Sequence, residues 1–511
     1  MAKGNPNSPH VFSNIIANMT GRVVSTLLAI VFTPIYISLL GIEAYGLIGF
    51  YVSLQAALSF LELGLSYTCN RELARCSGQG RPAFQKMLDT LRSLEISYWC
   101  IALLIGFLLS LSAPVIASGW LDSREFSATY LEDVVLIMAW VIAMKWPVGL
   151  YSGALSGLQQ QVSMNVALVV VSVLNWGGAA LILWAYEPSI QVFFQWQLLV
   201  AIISAVLFLC LTWFHMPEGF MHGHFSWKLI KRLLPFTAGV AANAIIGTIL
   251  LQADKLILSA IVPLKIFAYY ALASMMAEAV ILLAAPISNA ISPRMAQMVG
   301  ANVKKSVMVT FFHLSAQSVN VLVVPLGLML AVFSYEVLYS YTGSVEIAAN
   351  ASLALSIMAV AKILHANMLV PYSLQLAVGR LKLTVIINAI SLCFFLPLVL
   401  VLAKSYGMEG AASAWLLVTL GYVFIGMPLI LKQDLQGQWK TWILSNIFVP
   451  VLLITSLLLV LKFLLFNNEF SRWELAAMLI STGFISMVAM IMVLPEVRKI
   501  LKKTLMSRGV I

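Results

Sequence analysis

The sequence predicts an all-α polytopic membrane protein of about fourteen transmembrane helices. Three observations carry that expectation. Of the 511 residues, 61% are hydrophobic and only 10% are charged, whereas a soluble domain carries about 25% charged residues. Apolar segments recur at about 20 residues each, the length that crosses a bilayer as a helix. Lys and Arg are segregated between alternate loops, as the positive-inside rule requires. A β-barrel would instead show short alternating segments.

Fourteen spans are expected, at 13–40, 46–68, 93–118, 134–156, 162–186, 191–214, 234–261, 264–291, 307–333, 347–377, 383–403, 410–431, 443–466 and 473–495. The N-terminus, the even-numbered loops and the C-terminal tail hold 21 of the 30 Lys and Arg residues, and the odd-numbered loops only four. Both termini are therefore expected in the cytoplasm. No cleavable signal peptide is expected, since the first apolar stretch is too long and lacks a small-residue cleavage site. Trp120, Trp227, Trp439 and Trp442 read as interfacial belts. The basic tail "PEVRKILKKTLMSRGVI" lies on the anionic cytoplasmic leaflet or is simply solvated.

Several function classes drop out. No loop has room for a nucleotide-binding fold and no GxxxxGK[ST] occurs, so ATP is not the expected direct energy source. Cys69, Cys76, Cys100, Cys210 and Cys393 are scattered, with no CxxC and no metal-ligand spacing. The pair His222 and His224 reads as a surface accident rather than a metal site. The net charge of +10 is spread over loops, so nucleic acid is not an expected partner.

A faint internal repeat suggests two halves. Tyr45 and Phe267, Arg71 and Arg294, Asn165 and Asn388, and Tyr186 and Tyr406 correspond at shifts of 220 to 223 residues. The expected division is an N-terminal six-helix lobe (1–220), a C-terminal six-helix lobe (221–435), and two extra helices with a basic tail (436–511). Six helices per half give both halves one orientation, the parallel-repeat plan.

Charges inside the spans are the functional candidates. A charged side chain at the centre of a lipid-facing helix costs about 2.5–3.5 kcal/mol on insertion scales, so such residues face protein or water. Asn14, Asn18, Arg22, Ser25 and Thr33 fall in one sector of the first span, and Tyr51, Gln55, Ser59, Glu62 and Ser66 in one sector of the second. In the seventh span Thr248, Gln252, Lys255 and Ser259 share a face, with Asp254 about 100° round, in line with Asn243. Ser274, Glu278 and Asn289 share a face of the eighth span. Lys362 and His365 lie one turn apart, and Lys145 precedes Trp146-Pro147.

The equivalent placement of these stripes in the two halves suggests a central cavity with cations Arg22, Lys145, Lys255 and Lys362. Its acidic members are Glu62, Asp254 and Glu278, with His365 titratable. A cationic excess suits an anionic substrate such as a phosphate or an acidic sugar. Alternatives stand beside this reading: Asp254 and Lys255 form a local ion pair or Lys255 snorkels to the interface, Glu62 pairs structurally with Arg71, and His365 is a satisfied buried histidine. Lys462 is expected to snorkel.

The segments "TPIYISLLGIEAYGLIGF", "FLELGLSYTCNRELAR", "LQADKLILSAIVPLKIFAYYAL", "PISNAISPRM" and "YGMEGAASAWLL" together resemble the bacterial polysaccharide flippase family, the Wzx-type translocases, within the drug/oligosaccharidyl-lipid/polysaccharide exporter superfamily. The resemblance runs from about residue 11 to about residue 430, and no single motif in it is diagnostic. It implies a non-enzymatic, alternating-access flippase. The cargo would be an undecaprenyl-diphosphate-linked oligosaccharide repeat unit of O-antigen or exopolysaccharide, with its lipid tail left in the bilayer.

The resemblance further implies that an ion gradient or membrane potential drives transport and that no cofactor is needed. Arg22, Lys145, Lys255 and Lys362 become headgroup candidates, and Glu62, Asp254, Glu278 and His365 coupling candidates. Membrane lipids, and a polysaccharide polymerase with its chain-length machinery, are the implied partners. Twelve helices are common in the family, so a count of fourteen is a departure. An ion-coupled multidrug or metabolite antiporter of the same superfamily is the alternative, which the basic balance of the charges disfavours.

Overall fold

The computed structural model describes residues 9–62, 64–77, 79, 83–216, 223–380, 382–465 and 470–499, and within these it leaves aside the side chains of 9–23, 60, 61 and 234–244. The described residues are largely helical, with short loops and no strand among them. Ten of the helices are long and apolar enough to cross a membrane, and Val24–Leu40 and Ile42–Leu58 are shorter apolar helices. The chain divides into two compact units, Met1–Lys265 and Ile266–Ile511.

The first unit holds α1 (Pro9–Leu40), α2 (Ile42–Leu58), α3 (Leu65–Ser77), α4 (Phe84–Val115), α5 (Ala128–Gly157), α6 (Gln161–Val173), α7 (Ala179–Ala185), α8 (Ile190–Phe214) and α9 (Trp227–Ser259). Helices α4, α5 and α8 form its centre, α1 packs on α6, and α3 lies against α5. Helix α9 packs against α2, α3 and α4. It therefore groups with the first unit, and the contact boundary falls at Lys265 rather than near residue 220.

The second unit holds α10 (Leu264–Gly300, which begins just before the boundary), α11 (Lys305–Val332), α12 (Ser334–Thr342), α13 (Val345–Asn367), α14 (Leu369–Val378), α15 (Lys382–Gly421), α16 (Met427–Asp434), α17 (Gln438–Thr441), α18 (Val449–Leu465) and α19 (Arg472–Val493). Helix α13 is central to it, packed on α11, α12 and α15, and α18 and α19 lie against α11. The eleventh and twelfth expected spans are two helices within the α15 range that meet at a non-helical kink at Gly407, where φ is +59°.

The helix starts follow capping chemistry. Ser127, Ser189, Ser226, Ser344 and Ser471 each accept a first-turn backbone N–H, satisfying one of the donors a helix start leaves orphaned. Ser471 and Glu474 form a reciprocal capping box. Gly343 and Gly379 end α12 and α14 in the left-handed conformation that glycine adopts without steric cost. Outward faces carry Trp184, Phe463 and Ile480, each more than 70% exposed, as lipid contact requires.

Buried polar groups pin the loops and the extra helices. The Glu43 carboxylate accepts from Ser123 Oγ at 2.6 Å and Arg124 N at 2.8 Å, fixing the loop before α5. In the second unit Asn446, on a π-helical turn spanning Trp442–Phe448, donates to His313 Nδ1 at 2.9 Å and accepts from Gln317 at 3.1 Å. Its backbone carbonyl accepts from Asn320, which exchanges hydrogen bonds with Asn367. This chain of amides fastens the segment leading into α18 onto α11 and α13.

Two sequence expectations are corrected here. Trp442 is fully buried on the π-helical turn and is a core residue, not an interfacial anchor. Lys462 does not snorkel freely. Its Nζ donates to Val332 O at 2.7 Å and pairs with Glu336 at 2.8 Å, because α12 brings a carboxylate within reach of α18.

Candidate functional site

In the first unit, Lys145 projects from α5 towards α2 and α8. Its Nζ donates to Tyr51 Oη at 3.0 Å and Gln197 Oε1 at 3.2 Å, and lies 5.4 Å from the Tyr51 ring centroid. All these partners are neutral, so hydrogen bonds and the ring quadrupole hold the ammonium. Gln197 in turn donates to Asn175 O at 3.1 Å, so the amide oxygen is aimed before the lysine arrives.

Glu62 sits where the second expected span breaks. A 3₁₀ turn covers Ser59–Glu62, Gly64 takes φ +68°, and α3 restarts at Leu65. Broken helices at membrane depth occur where backbone lines protein or a cavity. The carboxylate of Glu62 lies over Gly149 of α5, with the Tyr98 and Ser66 hydroxyls as its polar neighbours.

Asp254 and Lys255 occupy the last turns of α9. Asp254 is fully buried, Lys255 Nζ comes to 3.9 Å from its Oδ1, and the same Nζ donates to Leu251 O at 3.3 Å. Side chains that leave the helix 100° apart thus converge at their tips into a local ion pair. Arg22 and Asn243 fall among the side chains outside the description, and His222 lies outside the described residues.

In the second unit, Lys362 of α13 forms an ion pair with Glu278 of α10, and its Nζ lies 5.3 Å from the Trp415 ring centroid. The lysine side chain is 9% exposed and the carboxylate 47%. The pair is therefore lopsided, with a buried cation anchored by a half-exposed anion. His365, one turn from Lys362, sits edge-on to the Trp415 ring at 6.2 Å. The cation and acid that the sequence assigned to separate roles are thus in direct contact. Gln197 and Trp415 are site residues that sequence reading missed, and a polar or aromatic residue within an apolar run was the only signal available.

A cavity of about 570 Å³ in the second unit is lined by apolar side chains including Leu328, Val360, Ile363, Leu420, Phe448 and Val451. No charged side chain lines it. Apart from Ser356 and Thr455 its lining is apolar, which suits a hydrocarbon chain.

The helical architecture is shared with solved transporters. The lipid II flippase MurJ in an inward closed conformation superposes with a TM-score of 0.68, at 13% identity, over 94% of this chain and 98% of that one. An inward-facing multidrug resistance MATE family transporter of the MOP superfamily superposes with a TM-score of 0.62, at 14% identity, over 80% of this chain and 94% of that one. The fold of this multi-pass membrane protein is the one these transporters share. Residues 11–299 match the polysaccharide biosynthesis protein family, and the chain belongs to that family. A Shigella flexneri protein named "Putative O-antigen transporter" is 23% identical over 419 residues, covering 79% of this chain and 94% of that protein. These relatives are transporters and flippases, not enzymes.

Proposed function

We propose that the protein is a flippase. It moves undecaprenyl-diphosphate-linked oligosaccharide repeat units from the cytoplasmic to the periplasmic leaflet of the inner membrane by alternating access. The observation that carries the reading is membership of the polysaccharide biosynthesis family in a chain whose Lys145, inside a candidate span, is held by the neutral side chains of Tyr51 and Gln197. A diphosphate is the group such a cation recognises. On this reading fourteen spans place both termini in the cytoplasm, in two six-helix lobes with two added helices. Lys145, with Arg22, Lys255 and Lys362, meets the headgroup. Glu62, Asp254, Glu278 and His365 are the coupling groups for an ion gradient or the membrane potential. A polymerase and its chain-length machinery take the product.

The fold shared with MATE transporters supports a second reading, an ion-coupled antiporter of drugs or metabolites. Reconstitution separates the two. In proteoliposomes under an imposed gradient, a fluorescent polyprenyl-diphosphate oligosaccharide should change leaflet while a cationic dye is not accumulated. Dye accumulation without lipid movement would establish the antiporter instead.

A further inference from the structure

The glycines of α5 hold an unused pattern. Gly149, Gly153 and Gly157 recur every fourth residue, so they form one ridge along the helix. A Cβ added to each meets a different part of the broken second span. At Gly157 it would lie 2.5 Å from Asn70 O, and at Gly153 2.5 Å from both Ser66 O and Ser66 Oγ. At Gly149 it would fall on Glu62 Oε1, with Glu62 Cδ at 2.9 Å. Contacts this short are not tolerated, so something must move.

The two chains therefore run in step, 62 with 149, 66 with 153 and 70 with 157. The absent side chains let α3 and the turn before it lie directly on α5, the close approach that small residues permit between membrane helices. Ser66 Oγ donates to Gly149 O at 2.8 Å and locks the register. The lower two glycines meet backbone and a hydroxyl. Only Gly149 meets a carboxylate, at the 3₁₀ turn where the span breaks.

We infer that Gly149 is a positioning residue for Glu62, giving the carboxylate its seat on α5 while Gly153 and Gly157 set the register of the helix below it. The inference rests on the reading of Glu62 as a coupling group. A methyl at 149 pushes the carboxylate off its seat. Shortening the acid by one carbon withdraws it from the same space, so the two changes compensate.

The test uses the full-length protein in proteoliposomes under an imposed ion gradient, with lipid-linked oligosaccharide flux as the readout and membrane levels measured alongside. Glu62→Gln comes first. Loss of gradient-driven flux is expected, and unchanged flux would remove the coupling reading itself. With that reading intact, Gly149→Ala should lower the flux about tenfold or more, and Gly149→Ala with Glu62→Asp should return it to the level of Glu62→Asp alone, the coupling expected of residues in direct contact. Wild-type flux in Gly149→Ala, or a double variant whose loss is the product of the single losses, would overturn the inference. If Gly149→Ala fails to accumulate in the membrane, the double variant should restore its level, and failure to do so would equally overturn it.

Discussion

At the residue scale, the charges inside the spans differ in how they are held, and that difference is testable. Among the described residues half-buried Lys145 hydrogen-bonds only neutral partners, so Lys145→Met removes a partly desolvated charge without orphaning another. Membrane level and melting temperature should stay at or above wild type, while an ionic hydrogen bond to phosphate worth about 1.5–3 kcal/mol is lost. Transport should then fall between about tenfold and a hundredfold, measured as lipid-linked oligosaccharide flux. The Lys362–Glu278 pair behaves oppositely. Glu278→Gln leaves a 9% exposed ammonium without its anion, at a cost approaching the 3–5 kcal/mol of a broken buried pair, about 3 kcal/mol. Lys362→Met leaves a carboxylate that is 47% exposed, and water screens it, so the cost should be about 1 kcal/mol or less. Thermal unfolding in detergent should rank Glu278→Gln as clearly less stable than Lys362→Met, and equal losses would contradict the lopsided geometry.

At the element scale, irregularities matter more than helices. Gly407 breaks α15 into two helices at φ +59°, ψ −133°, a conformation costing a side chain about 1–3 kcal/mol. Gly407→Ala should lower stability by about that amount, read as an earlier melting transition. The π-helical turn at Trp442–Phe448 carries Asn446, which His313, Gln317 and Asn320 all contact. Asn446→Leu strands partners on α11 and should destabilise by about 2–3 kcal/mol, measured the same way. None of these features was legible in the sequence. Hydropathy averaged over a span reports the span, and a four-residue 3₁₀ turn at Glu62 or a π turn at Asn446 disappears into it. The Ser caps were local and visible in principle. The contacts of Lys145 and Lys362 were not, because they depend on which helices become neighbours.

At the scale of the whole molecule, the sequence reading was most successful. Composition alone excluded a soluble domain, and each described apolar helix overlaps an expected span, with Lys382–Asp434 covering two of them. What sequence periodicity could not foresee is that α9 packs with the first unit, since that depends on contacts and not on hydropathy. Topology remains open to a direct test. In a cysteine-free background, a Cys placed in the 121–127 loop should react with an impermeant maleimide on intact spheroplasts. A Cys at 301–304 should react only after permeabilisation. Reversed labelling would overturn the proposed orientation.

The central claim is that the chain carries a lipid-linked oligosaccharide across the membrane. Deleting the gene and locating the accumulated lipid tests it most directly. Polyprenyl-diphosphate repeat units should build up with their sugars protected inside sealed, right-side-out vesicles and should clear when the wild-type chain is restored. Repeat units that reach the periplasmic leaflet at the normal rate in the deletion strain, with no related transporter present, would contradict the account.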